Sequence, residues 1–510
     1  MPEIEGAKSS ESSLLISILR NVIQQGSIYF VGIVGTGLAS FVVLPIYARV
    51  FAPAEYGLLS LASLVVSIGS IVITNWIAAS TTRFLPYYQR LHKTDTFYST
   101  ILFSMVLSLA AFLLLGVPAY FWGRGFLAVE FQPLIPLITV LIPLTMIFNT
   151  SLNILRVKQE ANRYIIFQLG SFYVALMIGL PLVIFLGLGV SGILWGQAII
   201  LLILGAILFK RLFLTGSSVR RSAISLPAVK EFASYGFPMV AAVIGTWILS
   251  GADRFVINSF RDTTEVGLYS MAYGIGDSIT MVASAFRLAA EPILMLTYES
   301  DKREITSRLL SQLTRVFLLI GLPATICISV LANPIIRLLT TAPYYSASIV
   351  IPFVAVGNLT YGLCLLSSAG LRTARKTLIV ARNWFVVGAL NILLNIIFVP
   401  EFGFIAAAVT TLVSYVALLI LNIKSSNKYL RWALIPRSAV NTAVASLVMG
   451  GIVFLITHFS ASTIVDCILG VIAGIVVYFG MLFLLKEFSQ EEILQIRRFF
   501  KGKLPWTRHS

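Results

Sequence analysis

Five ionisable residues sit inside otherwise apolar runs of this chain: Asp253, Arg254, Asp277, Arg287 and Glu291. A charge in the middle of a membrane span costs about 2.5–3.5 kcal/mol on insertion scales, so it usually faces a cavity or a partner. The carboxylates are candidates for taking up a proton or a cation, and the guanidinium groups for holding an anion. Arg287 and Glu291 are i,i+4 neighbours and can pair, while Asp277 and Glu291 fall near one helix face. At 1.5 Å per residue, Asp277 lies about 18 Å along its helix from Glu265, near mid-membrane. A purely structural reading makes Arg287–Glu291 a pair near the cytoplasmic interface and lets Asp253 and Arg254 snorkel outward. Uncharged groups form a second set: Asn75 beside Trp76, Asn149 with Asn153, Trp195 with Gln197, Asn358 with Tyr361, and Asn391 with Asn395. Each could contact a polar ligand or tie helices together, the latter for about 0.6 kcal/mol per hydrogen bond. His92, His458 and His509 are scattered, and Cys327, Cys364 and Cys467 lie in different apolar runs. Hence neither a metal cluster, a catalytic residue set nor a disulfide framework is expected.

The elements that position these groups are membrane spans. The chain has 510 residues, 58% hydrophobic and only 11% charged, with a mean hydropathy of +0.92; soluble domains carry about 25% charge. Runs of about 20 apolar residues, each able to cross a hydrocarbon core of about 30 Å, recur throughout. They predict fourteen spans, at 22–44, 57–80, 97–117, 133–155, 164–186, 190–209, 232–259, 266–297, 309–331, 347–371, 378–399, 403–423, 437–457 and 464–485. The eighth is overlong and must tilt, bend or extend beyond the bilayer. Counting Arg382 and Arg437 at the adjoining span ends, loops after even-numbered spans hold 22 Lys and Arg residues; those after odd-numbered spans hold Arg49, Arg124, Arg261 and Arg337 alone. That asymmetry places the even-numbered loops and both termini in the cytoplasm, so the net charge of +16 reflects topology rather than nucleic-acid binding. Met1 to Glu11 lacks a cationic leader region, so no cleavable signal peptide is expected.

An octapeptide pattern, E-x-G-L-x-S-x-A, occurs at Glu55–Ala62 and again at Glu265–Ala272, 210 residues apart. Leu155-Arg156 and Leu371-Arg372 repeat at an offset of 216, and Gly189-Val190-Ser191-Gly192 resembles Gly403-Phe404-Ile405-Ala406 at 214. Six spans separate equivalent points, which predicts two parallel six-helix repeats around a central cavity. The organisation expected is an N-terminal half (1–209), a basic cytoplasmic linker (210–231), a C-terminal half (232–423), two additional spans (424–485) and a cytoplasmic tail (486–510). The linker composition, with Gly216-Ser217-Ser218 and Arg220-Arg221, suits contact with anionic headgroups, and the tail suits an interfacial amphipathic helix. For Glu55, Gly57, Glu265 and Gly267 a structural role is expected, the glycines allowing a tight turn and close helix approach. The fold class is an all-α polytopic membrane protein.

Arg49-Val50-Phe51-Ala52-Pro53-Ala54-Glu55-Tyr56-Gly57 resembles the first-loop signature of the polysaccharide transporters, the oligosaccharide (O-antigen-like) flippases of the multidrug/oligosaccharidyl-lipid/polysaccharide exporter superfamily. Asp253-Arg254-Phe255 followed by Val266-Gly267-Leu268-Tyr269-Ser270-Met271-Ala272-Tyr273 is similar to that family's seventh-to-eighth-span segment. Asn391-Ile392-Leu393-Leu394-Asn395, then Pro400-Glu401-Phe402-Gly403 and Ala406-Ala407-Ala408, resembles a third family signature, with Ala406 in place of the usual glycine. The resemblance runs in order from about Gln24 to Asn422. It implies a fourteen-helix transporter that moves lipid-diphosphate-linked oligosaccharides from the inner to the outer leaflet of the bacterial cytoplasmic membrane. Under that reading Asp253 and Asp277 are candidates for proton or sodium coupling and Arg254 and Arg287 for diphosphate contact. Asn75, Asn391 and Asn395 become candidates for sugar hydroxyls. Leaving aside Arg315 near the end of its span, these in-span charges comprise two positives and three negatives, so a strongly cationic cavity is not expected. No cofactor, metal or nucleic acid is implied; the partners implied are the lipid-linked oligosaccharide, the phospholipid membrane and a glycan polymerase or export machinery. Alternatives are a peptidoglycan-precursor lipid flippase, a multidrug exporter of the same superfamily or, in a different class, a membrane glycan polymerase or ligase. The last should carry catalytic residues in a sizeable outer loop, and these outer loops are short.

Overall fold

A computed structural model describes residues 35, 37, 41–123, 129–215, 219–299, 303–459 and 463–488. Most of the expected first span, the Gly216-Ser217-Ser218 stretch and the expected tail helix at 489–510 lie outside the described residues. A backbone in lipid must satisfy its own polar groups, and long apolar runs do so as helices. Among the described residues the helices are α1 (Phe41–Val50), α2 (Pro53–Arg90), α3 (Thr94–Gly123), α4 (Ile135–Val157), α5 (Ala161–Ile184), α6 (Gly189–Phe209), α7 (Leu226–Phe260) and α8 (Thr263–Gly276). They continue with α9 (Ser278–Glu299), α10 (Arg303–Val330), α11 (Ala332–Leu339), α12 (Ile351–Ser367), α13 (Ala369–Thr373), α14 (Thr377–Ser426), α15 (Pro436–Phe459) and α16 (Thr463–Leu484). Among the described residues, eleven helical stretches are long and apolar enough to cross a membrane. Apolar side chains such as Leu114, Met177, Phe185 and Leu484 are exposed, as lipid-facing positions require.

Two departures from simple spans have local causes. The overlong eighth run is divided into α8 and α9 at Asp277, whose Oδ1 accepts from Thr280 Oγ1 at 2.8 Å while its carbonyl accepts from Thr280 N at 2.9 Å. The eleventh and twelfth runs form the two helical arms of α14, separated by a break at Gly403, whose φ 59° and ψ −146° are not helical. A β-carbon at Gly403 would lie 2.3 Å from the Glu265 carboxylate. That carboxylate instead accepts from Phe404 N at 2.9 Å and from Arg261 Nε at 2.8 Å, capping the second arm of α14 after the bend. Arg261 also reaches the Pro400 carbonyl, at 3.5 Å.

The chain divides into two compact units, Met1–Gly274 with Lys376–Leu418, and Ile275–Arg375 with Leu419–Ser510. In the first, α2 packs on α4 and α7, and α6 on α4 and α5; Phe232 stacks on Phe84 at 5.0 Å and Trp76 on Phe237 at 5.3 Å. Both octapeptide copies lie in this unit and meet. A β-carbon on Gly57 would fall 1.9 Å from the Thr263 carbonyl oxygen, and one on Gly267 would fall 1.8 Å from that of Pro53. The contact is reciprocal, each glycine seating the residue four before the other. Ser60 and Ser270, the serines of the two copies, are 2.8 Å apart through Oγ. Glu55 begins α2 by accepting from Ala52 N at 2.9 Å, as in the return half of a capping box. In the second unit α10 packs on α9, α12 and α15, and α15 on α16. Trp432 Nε1 donates to Thr314 Oγ1 at 3.0 Å.

Candidate functional site: two adjoining polar cavities

Near the end of α7, Asp253 and Arg254 are only 1% and 7% exposed, so neither snorkels to an interface. A buried charge needs both an opposite charge and hydrogen bonds, and Arg254 has both. Its Nη1 lies 3.4 Å from Asp253 Oδ1 and donates to the Ser250 carbonyl at 3.0 Å. Its Nε donates to Ser270 Oγ at 3.0 Å, extending the serine pair joined across the repeat. The guanidinium carbon sits 5.2 Å from the Tyr269 ring centroid and 4.7 Å from that of Tyr273, within cation–π range. Tyr269 OH donates to Asp253 Oδ2. The remaining nitrogen, Nη2, has no partner among the described residues.

Arg254 lines a cavity of about 580 Å³ whose other polar walls are Tyr47, Tyr56, Ser60, Ser63, Gln168, Ser171, Gln197 and Ser250. That volume falls within the range of small-ligand sites, about 300–1,000 Å³. A second cavity of about 350 Å³ shares Gln168 and Ser171 with it and is lined further by Ser70, Thr74, Asn75, Asn149, Asn153, Arg156 and Tyr164. Asn153 Nδ2 donates to the Ala78 carbonyl at 2.8 Å, and its Oδ1 accepts from Arg156 Nη2 at 2.6 Å.

The other expected site residues lie elsewhere. Arg287 and Glu291 do pair, at 3.7 Å, but the nearer partner of Glu291 is Arg372, at 2.7 Å. Arg372 belongs to α13 rather than to a loop, and it also donates to Ser368 Oγ at 2.6 Å and the Leu365 carbonyl at 2.9 Å. Asp277 is exposed at the α8–α9 break. Asn391 and Asn395 are fully buried between the arms of α14. There Asn391 Nδ2 donates to Thr411 Oγ1 at 3.3 Å and Ser414 Oγ at 3.2 Å, Asn395 Nδ2 to Asn391 Oδ1 at 3.1 Å, and Thr410 Oγ1 to Asn395 Oδ1 at 2.7 Å.

Sequence reasoning missed most of the cavity wall. The signal was present on α2: Tyr56, Ser60, Ser63, Ser67, Ser70 and Thr74 recur every three or four residues, one polar stripe on an otherwise apolar helix. The shared serine of the octapeptide was a second signal.

The family model described as "Polysaccharide biosynthesis protein" matches residues 22–297, more than half of the chain. The chain belongs to that family. A second model, MatE, matches residues 238–400. The family match contains both octapeptide copies, the Asp253–Arg254 pair and both cavities. Among curated proteins, a probable low-salt glycan biosynthesis flippase of Haloferax volcanii is 22% identical over 52% of this chain and 57% of its own length. A probable flippase of the same organism, AglR, is 24% identical over 61% of this chain and 65% of its own. The chain thus matches under two thirds of the length of these relatives. Among solved structures, the lipid II flippase MurJ in an inward closed conformation superposes with a TM-score of 0.72, at 17% identity, over 91% of this chain and 99% of MurJ.

Proposed function

We propose that the protein is a flippase that carries the glycan–diphosphate headgroup of a polyprenyl-linked oligosaccharide across the cytoplasmic membrane, from inner to outer leaflet, by alternating access. The polyprenyl tail stays in lipid, and both termini are cytoplasmic. The observation that carries this reading is Arg254: a buried guanidinium held on three sides, with Nη2 unpartnered among the described residues at the wall of a cavity otherwise furnished with hydroxyls, carboxamides and tyrosine rings. That combination suits one anionic group attached to hydroxyl-rich sugar, and no bond need be made or broken. The names of the Haloferax relatives, one a probable glycan biosynthesis flippase and the other a probable flippase, agree with it. A diphosphate bridge carries roughly two charges, each worth about 2.3 kcal/mol per 100 mV, so an inside-negative potential drives the headgroup outward by about 4–5 kcal/mol. Asp253, tied to Arg254 and Tyr269, is the candidate residue for coupling such movement to an ion. A glycan polymerase or export machinery would receive the product.

The test is flipping of lipid-linked glycan in proteoliposomes, read by leaflet accessibility. Removing Arg254 alone would strand Asp253 in the interior at a cost of about 3–5 kcal/mol, so the informative variant is the neutral pair Asp253→Asn/Arg254→Gln. It should fold and flip at least tenfold more slowly. Wild-type flipping by that variant would sink the assignment.

A further inference from the structure

We propose that the second cavity is a separate subsite for an uncharged sugar of the headgroup, so that the chain recognises glycans of two or more sugars; this rests on the flippase reading above. The cavity is built from α2, α4 and α5 and is furnished with groups left without partners. Thr74 is 6% exposed, yet its Oγ1 has no hydrogen-bond partner among the described residues. The carboxamides of Asn75 and Asn149 have none among the described residues either. A buried hydroxyl without a partner is destabilising, and a bound group would relieve that.

The chemistry of the wall selects the ligand. Each carboxamide presents a donor and an acceptor together, the complement of neighbouring sugar hydroxyls. Among the lining residues no carboxylate is present, which argues against a cation, and the polar lining argues against a lipid tail. Its one charge, Arg156, is already engaged by Asn153 at 2.6 Å. The volume of about 350 Å³ equals roughly ten waters at about 30 Å³ each, far more than is needed to satisfy one hydroxyl.

Placement argues that this subsite continues the first. The cavities share Gln168 and Ser171, and together they follow one face of α2 from Tyr56 to Ala78, about 33 Å at 1.5 Å per residue. That length exceeds any single sugar and approaches the thickness of the hydrocarbon core, about 30 Å. A headgroup with its diphosphate at Arg254 would extend its further sugars toward Asn75 and Asn149.

The experiment compares two carriers in the same proteoliposomes, one bearing a single sugar on the diphosphate and one bearing several. The variant is Thr74→Val/Asn75→Leu in the full chain. The preference for the longer glycan, taken as the ratio of the two flipping rates, should fall at least tenfold. Thr74→Val alone, which keeps the shape of the side chain, should lower the ratio at least threefold and serves if the double variant does not fold. An unchanged ratio, with both rates lowered together or not at all, overturns the subsite and leaves the flippase reading standing. Wild-type protein that flips neither carrier overturns both.

Discussion

Arg156 and Arg372 occupy corresponding positions of the sequence repeat, 216 residues apart and each after a leucine, but their surroundings have diverged. In the first unit Arg156 is held by a neutral amide, Asn153 Oδ1, at 2.6 Å. In the second, Arg372 is held by a carboxylate, Glu291, at 2.7 Å, and that carboxylate also serves Arg287. At the octapeptide offset of 210, Glu291 corresponds to Thr81, whose Oγ1 bonds back to the Ile77 carbonyl of its own helix at 2.8 Å. The scaffold was kept and the charge was placed on one side only. A wall without carboxylates suits uncharged sugar, since a fixed carboxylate would repel a diphosphate; in the second unit the same chemistry serves to neutralise two arginines.

The largest effect should come where the copies have not diverged. Gly57→Ala and Gly267→Ala each drive a β-carbon to within 2 Å of a backbone oxygen that cannot move without its helix. Each should cost at least about 3 kcal/mol, the upper range for overpacking, and the two should match within about 1 kcal/mol. Unfolding midpoints in detergent measure this. One tolerant site beside one intolerant site would mean the crossing is not reciprocal.

Next in size is the diverged pair. Glu291→Gln leaves two arginines without their counter-charge, at about 2–3 kcal/mol once partial exposure is allowed for. Asn153→Ala removes a neutral acceptor and should cost about 1 kcal/mol. Equal losses would show that the carboxylate in the second unit is not neutralising the arginines.

These contrasts also mark what was legible in the sequence. Hydropathy gave the spans because lipid leaves the backbone little choice, and the bend at Gly403 fell between two runs read as separate. Asp253 and Arg254 stood out because a charge in an apolar run is conspicuous. The partners Tyr269, Tyr273 and Ser270 did not, because tyrosine and serine are unremarkable in a membrane helix. Their role depends on α7 and α8 meeting, which no spacing encodes. Arg372 fell one residue past the end of the tenth run, 347–371, because a charge ends a hydrophobic run; only the backbone of α13 and the ion pair with Glu291 show that it is packed. Asn391 and Asn395 looked like ligand groups until the second arm of α14 brought Thr410, Thr411 and Ser414 against them.

The smallest effect tests whether carboxylate neutralisation is a general habit of the second unit. Just beyond α16, Glu487 takes Arg315 Nε at 2.9 Å and Asn441 Nδ2 at 2.9 Å, and it also meets Ser438 Oγ. Burial pushes its carboxyl up, but the hydrogen bonds from Ser438, Asn441 and Arg315, with the Arg315 charge, outweigh that and hold it below the usual carboxylate range. A carboxyl depressed in the folded state adds stability that is fully present above its unfolded value, about 4.3, and is lost as pH falls through the folded value. Wild-type protein should therefore melt higher than Glu487→Gln by a constant margin from pH 7 to pH 5, and the margin should shrink steadily as pH falls below about 4.3. The matching difference between wild type and Asn153→Ala, which involves no titrating acceptor, should stay flat over the same range. A Glu487 margin that does not shrink below that pH would mean that Arg315 is held by the shape of the pocket rather than by charge, and the contrast between carboxylate and amide partners would then rest on Glu291 alone.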